Sequence, residues 1–259
     1  MLYGIRDGCL RVGWEEAFKQ ATELGFDGLE LDVGADYRDT PLWTAAGRKQ
    51  VAEWAKHGAE LSSVCIGALW SHSFGSSDAA VRARAHEVTY NTIDACAELG
   101  AHWILVPVTP GQDAEQQQAR QYWIDGMIDC AECAAKDRVV LCLENVGRGY
   151  AQSAVDLLEM ARAVDSPFLR TYYDPGNGLS LGNDPVAELE LLGREWIAVL
   201  HAKDPGGEYL GEGDLDWDGV EGKVEEMGYD GYMILETPAT DDPVAAGRRN
   251  LAFLKQRFG

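Results

Sequence analysis

Leu24-Gly25-Phe26-Asp27-Gly28-Leu29-Glu30-Leu31 packs a helix end, a turn and an apolar strand into eight residues. Upstream, Trp14, Ala17, Phe18, Ala21 and Leu24 share one face at helical spacing, and Gly25 supplies the stop. Downstream, the strand begins after a turn of three residues. The same arrangement returns in Met227-Gly228-Tyr229-Asp230-Gly231-Tyr232-Met233-Ile234-Leu235-Glu236. Such an echo predicts a fold of repeated helix and strand units.

Between the two copies the alternation continues. Strands are predicted at 2–5, 28–31, 61–66, 102–106, 139–143, 169–173, 196–200 and 232–235. Helical periodicity fills the gaps: 14–24, a segment ending at Gly58, a long helix from Asp78 to Leu99, a polar helix near 115–135, and one starting at Ser153. Strands alternating with helices imply parallel pairing through right-handed crossovers. Eight such units in 259 residues fit a closed (β/α)8 barrel of the TIM type, spanning 1–259 as one domain. The alternative is an open doubly wound sheet. The first strand, however, runs into Arg6-Asp7-Gly8-Cys9, which is no dinucleotide fingerprint.

Composition narrows the function. The chain carries 22 Lys and Arg against 43 Asp and Glu, a net charge of −21. A surface so acidic disfavours nucleic acids and anionic membranes as partners, because both require clustered cations. No segment approaches the roughly 20 apolar residues of a membrane span. The start, Met1-Leu2-Tyr3-Gly4-Ile5-Arg6-Asp7, does not read as an export signal. The expected location is therefore the cytoplasm, with six reduced cysteines. Cys130 and Cys133 form one CxxC without a second pair, and read as small packing residues of a helix.

In a barrel, function sits where strands end at the C-terminal face. The fifth strand ends Leu143-Glu144-Asn145, the sixth Tyr173-Asp174-Pro175-Gly176-Asn177, the seventh Leu200-His201 and the eighth Leu235-Glu236. Glu144, Asp174, His201 and Glu236 are separated by 30, 27 and 35 residues, about one unit each. Four consecutive strands thus deliver three carboxylates and an imidazole to one rim. Such groups repel at low dielectric, and a divalent cation resolves the conflict. Oxygen-rich ligation with one nitrogen suits Mn2+, Mg2+ or Co2+ and tolerates Zn2+. One ion per chain is expected, with Mn2+ favoured.

These four residues, with the Glu-Asn after strand five, Asp174-Pro175-Gly176-Asn177, His201-Ala202-Lys203-Asp204 and the loop Leu210-Gly211-Glu212-Gly213-Asp214-Leu215-Asp216-Trp217, resemble the xylose isomerase-like barrel superfamily. The likeness is to its sugar phosphate isomerase/epimerase group, and it covers nearly the whole chain. That group holds D-tagatose 3-epimerase-like, L-ribulose-5-phosphate 3-epimerase-like and hexulose-phosphate isomerase-like enzymes, and inosose dehydratase-like lyases.

The resemblance implies an isomerase or epimerase acting on a sugar or sugar phosphate. The metal binds a carbonyl, and Glu144 and Glu236 move protons through an enediolate. The alternative on the same scaffold is an inosose or keto-sugar dehydratase. Less favoured are an apurinic endonuclease, which needs more ligating histidines and a basic face, and a non-catalytic sugar-binding module. Barrels of the group often pair through their helices, so a homo-oligomer is compatible.

The candidate substrate contacts are His72, Asn177, Arg148, Lys203 and Arg6, the three cations being the candidates for a phosphate. Asn177 and Tyr150 stand where the tagatose-type branch carries His and Glu. Asn145 is expected to orient Glu144. Of Glu30 and Asp32, one is expected at the rim and the other to be structural. Trp14, Trp70 and Trp217 are candidate pocket walls. The Gly-rich loop 203–216 is expected to move as a lid.

Overall fold

The computed structural model describes residues 1–56, 58–111, 113–147, 150–238 and 240–259. Its strands are β1 (Leu2–Arg6), β2 (Gly28–Asp32), β3 (Glu60–Cys65), β4 (Trp103–Pro107), β5 (Val140–Glu144), β6 (Leu169–Tyr173), β7 (Ile197–Ala202) and β8 (Tyr232–Leu235). They pair in parallel in chain order, and β8 returns to β1 to close a single eight-stranded barrel. The open-sheet alternative is thereby excluded.

The echoed segments lie on either side of β1, since β2 and β8 are its two neighbours. Gly25 ends the helix Trp14–Leu24 at φ 87°, and Gly228 takes φ 60° at the matching turn. Both positions need the left-handed conformation that glycine adopts without strain. Local signals also hold elsewhere. Asp78 caps the helix Ala79–Leu99 by accepting from Ala80 N at 2.8 Å. Ser153 and Asp156 form a capping box at the helix Ala154–Val164.

Two apolar layers result. Cys65, Leu105, Cys142, Tyr172 and Ile234 fill the inside of the barrel, and a larger cluster fills the space between strands and helices. Side chains alternate between these layers with period two. Cys142 points inward, so Glu144 does too; Tyr172 and Ile234 likewise predict inward Asp174 and Glu236. The β2–β3 pairing slips by one residue between Leu29 and Glu30, and β6–β7 slips between Thr171 and Tyr172. Such bulges re-aim side chains beside active sites.

Cys130 is buried and Cys133 half-buried on the helix Gln116–Asp137, as packing residues; all six cysteines are free thiols. Among the described residues no helix is long and apolar enough to cross a membrane.

The loop after β7 differs from the expected lid. It is tied around one buried carboxylate. Asp204 accepts from the backbone N–H of Gly211 (2.7 Å), Gly213 (3.2 Å) and Leu215 (3.1 Å), and from Trp217 Nε1 (2.9 Å). Four donors on one ionisable side chain make a compact knot. Glycine here permits close packing, since a Cβ at Gly213 would collide with Asp204. Hydrogen exchange is expected to find the amides of Gly211, Gly213 and Leu215 protected, and Asp204→Ala to abolish that protection. Fast exchange of all three in the unsubstituted protein would restore the lid.

Asp7, just after β1, yields a pH prediction. Burial raises its carboxyl to about 6, against the hydrogen bonds it accepts from Asp32 N and Trp14 Nε1. In the unfolded chain an Asp titrates near about 3.9. The folded state therefore holds this proton more tightly, and stability falls as pH rises from about 4 to about 6. Asp7→Asn keeps an oxygen acceptor without the charge. Calorimetry should show it raising Tm at pH 7 and changing it little at pH 4. An equal shift at both pH values would contradict the assignment.

Candidate active site

Glu144, Asp174, His201 and Glu236 each place a ligating atom so that all four atoms lie within 4.8 Å of one another. Glu144, Asp174 and His201 are buried, and the Glu236 side chain is 15% exposed. The parity of β5 to β8 thus delivers the expected quartet to one point. His201 lies at its centre. Its Nδ1 is 3.1 Å from Glu144 Oε1, 3.4 Å from Glu236 Oε2 and 3.9 Å from Asp174 Oδ2.

Asp174 is held from two sides. Its Oδ1 accepts from Asn177 N at 2.9 Å, capping the short helix Pro175–Ser180. Asn145 clamps its backbone: Asn145 Nδ2 donates to Asp174 O and Asp174 N donates to Asn145 Oδ1, both at 2.9 Å. Asn145 thus orients Asp174 rather than Glu144. The other oxygen, Asp174 Oδ2, is buried with no hydrogen-bond partner. Lys203 Nζ at 3.6 Å and His201 Nδ1 at 3.9 Å are the nearest cationic groups, both too distant for a hydrogen bond, so this buried oxygen still favours a closer cation.

The electrostatics agree. Burial raises the Glu144 carboxyl, with Glu236 and Asp174 adding repulsion, although His201 opposes the shift. Burial likewise raises Asp174, against the pull of Lys203 and His201. Glu236 goes the other way. Burial would lift it, but His201, Lys203 and Arg6 hold it down at about 2. The His201 imidazole is driven up by the carboxylates around it despite its burial. The donor set, the spacing and the orphaned Asp174 oxygen fit a divalent ion bound by Glu144, Asp174, His201 Nδ1 and Glu236.

A cavity of about 240 Å3 opens on this cluster, lined by Arg6, Cys65, Trp70, Pro107, Glu144, Val146, Asn177, Lys203 and Glu236. Lys203 Nζ donates to Asn177 Oδ1 at 3.1 Å and to Glu236 Oε2 at 3.0 Å. Arg6 donates to Glu236 Oε1 and, at 3.0 Å, to Asp32 Oδ2. Three of the expected substrate contacts, Asn177, Lys203 and Arg6, therefore share one cavity with the two glutamates.

His72 does not join them. His72 lies in a separate cavity of about 290 Å3 with Tyr37, Arg38 and Arg84, packed edge-on against Tyr37. Its neighbour Trp70 reaches the site instead. Arg148 lies outside the described residues. Tyr150 is buried, its hydroxyl donating to Thr109 O at 3.0 Å. Trp14 bonds Asp7 and Trp217 bonds Asp204, and neither is among the residues lining the site cavity. A roomier cavity, about 400 Å3, opens at the opposite end of the barrel beside Glu60, His102 and Tyr232. The ligand cluster is remote from it.

The residue left undecided on β2 resolves clearly. Glu30 is fully buried, with Oε1 3.3 Å from His201 Nε2 and Oε2 accepting from Ser63 Oγ (2.7 Å) and Tyr172 OH (2.6 Å). Asp32 is the rim residue, bonding Arg6 and Gly67 N. Parity points both inward; depth separates them.

Comparison with known proteins agrees with this geometry. The family profile described as "Xylose isomerase-like TIM barrel" matches residues 18–257. The L-ribulose-5-phosphate 3-epimerase UlaE of Shigella boydii is 30% identical over 271 residues, covering 98% of this chain and 94% of that protein. Among solved structures, an L-ribulose 3-epimerase superposes with a TM-score of 0.87 at 18% identity, covering 99% of this chain and 94% of that one. The 3-keto-D-glucoside 4-epimerase YcjR from E. coli does so with a TM-score of 0.83 at 20% identity, covering 99% of both chains. The two structures share the fold; the profile and the sequence relative carry the kinship. The chain belongs to the xylose isomerase-like TIM barrel family, as an enzyme of its isomerase/epimerase group.

Proposed function

We propose that the chain is a divalent-metal-dependent 3-epimerase of ketose phosphates, with L-ribulose 5-phosphate or its 3-epimer as substrate. The observation that carries this reading is the facing of Glu144 and Glu236 into one small cavity, with His201 Nδ1 within 3.4 Å of both. Inverting a carbon requires a proton taken from one face and another delivered to the opposite face. Two carboxylates from β5 and β8 supply the two groups. A divalent ion held by the quartet would act as a Lewis acid on the adjoining carbonyl and offset the charge that develops on its oxygen.

The two glutamates have unlike environments. Glu236 is held ionised between His201, Lys203 and Arg6, whereas burial favours a proton on Glu144. Opposite tendencies in a facing pair suit acid and base roles, exchanged when the reaction runs backwards. Lys203, Asn177 and Arg6 face the same space and hold substrate oxygens. The two cations are suited to an anionic oxygen. The named activity of the UlaE relative supports the phosphorylated pentulose over a free sugar. Six free thiols support a reducing cytoplasm as the place of work.

The test is proton NMR in D2O with Mn2+ supplied and then chelated before acquisition. L-Ribulose 5-phosphate should gain deuterium at C3 as L-xylulose 5-phosphate appears. Deuterium at C1 or C2 with an aldose phosphate would mean an aldose–ketose isomerase. A deoxy or unsaturated dicarbonyl product would mean the dehydratase. No exchange with Mn2+ bound would reject this substrate. Glu144→Gln and Glu236→Gln should each lower kcat about 10²–10⁴-fold. Full turnover in either variant would remove that residue from proton transfer.

A further inference from the structure

We infer that Glu30 is the positioning residue that orients His201, by accepting its Nε2–H and so turning the Nδ1 lone pair toward the ligand cluster. The inference rests on the metal-site reading above. It concerns a different residue, one that touches neither the cavity nor any substrate.

The geometry is specific. Each imidazole nitrogen of His201 faces carboxylates, but only one faces the quartet. Nδ1 points to Glu144, Glu236 and Asp174, while Nε2 has Glu30 Oε1 at 3.3 Å. A neutral imidazole carries one N–H and one lone pair, and the acceptor that binds the N–H decides which nitrogen can ligate. Glu30 is fixed in turn. Its Oε2 is occupied by Ser63 Oγ and Tyr172 OH, which leaves Oε1 for His201. The Arg6 guanidinium lies 3.9 Å from that same oxygen, offering it countercharge. Tyr172 serves twice, since its ring also packs on the His201 ring with centroids 4.5 Å apart. A 180° turn of the imidazole about Cβ–Cγ would put Cε1 where Nε2 meets Glu30 and Cδ2 where Nδ1 meets the quartet, so both contacts would be lost. Carboxylates that hold a ligating histidine by its other nitrogen are worth about 10–100-fold in metal affinity.

The test uses Mn2+ affinity and a spectroscopic readout on the whole chain. Glu30→Leu removes the acceptor and keeps the volume. It should bind Mn2+ about 10–100-fold more weakly by calorimetric titration, while its metal-free Tm reports folding separately. Glu30→Gln should recover most of the affinity, because its amide oxygen still accepts from Nε2–H and the hydroxyls of Ser63 and Tyr172 can turn to accept from its NH2. In the Zn2+-loaded protein, His201 should show a slowly exchanging one-bond 1H–15N signal from Nε2, lost in Glu30→Leu. If Glu30→Leu fails to fold, Tyr172→Phe, which loosens Glu30 from behind, should weaken Mn2+ binding in the same sense. Unchanged Mn2+ affinity in a folded Glu30→Leu, or a Zn2+-bound protein whose protonated nitrogen is Nδ1, would overturn the assignment alone. Absence of Mn2+ binding by the unsubstituted chain would instead remove the metal reading and this inference with it.

Discussion

Three carboxylates crowd one buried imidazole where β5 to β8 end, and much of the surrounding structure can be understood as managing their repulsion. Like charges within 4.8 Å of each other cannot all stay ionised in a buried site without compensation. Compensation comes from several directions. His201 sits at the centre, Lys203 and Arg6 both reach Glu236, and Asn145 holds the Asp174 backbone so that its free oxygen stays aimed inward. That oxygen accepts no hydrogen bond, and its nearest cation is Lys203 Nζ at 3.6 Å. The arrangement is complementary to a cation.

The same constraint links the site to the barrel beneath it. Glu30 adds a further buried carboxylate one layer down, so the barrel interior is not purely apolar below the rim. Tyr172 and Ser63 satisfy it, and Cys65, Leu105, Cys142 and Ile234 fill the remaining space. Around the mouth, Arg6 and Lys203 have two allegiances. They pair with Glu236 and also line the cavity. Both cations therefore serve Glu236 and the cavity wall at once. At the rim Asp204 gathers the loop after β7 through four hydrogen bonds.

Much of this was legible in the sequence. The eight apolar runs appear within a residue or two of where they were expected, because fully buried parallel strands read as continuous hydrophobic segments. The quartet was legible from strand ends one unit apart. What escaped required depth, register or side-chain direction. Glu30 and Asp32 share parity, and only burial shows that the first supports His201 while the second meets Arg6. Asn145 was assigned to its chain neighbour, but its amide reaches across to β6. The loop 203–216 looked mobile from its glycines, yet the carboxylate that organises it, Asp204, sits at its start and looks ordinary in sequence. His72 was placed at the pocket from its position after β3. The chain turns there, and Trp70 faces the cavity instead.

The central claim is that Glu144, Asp174, His201 and Glu236 bind one divalent ion between them. Anomalous diffraction from crystals grown with Mn2+, collected at the manganese edge, tests it most directly. The account predicts one strong peak per chain, within bonding distance of His201 Nδ1 and of one oxygen from each of the three carboxylates. No peak at that point under saturating Mn2+, or a peak bound through other residues, would contradict it.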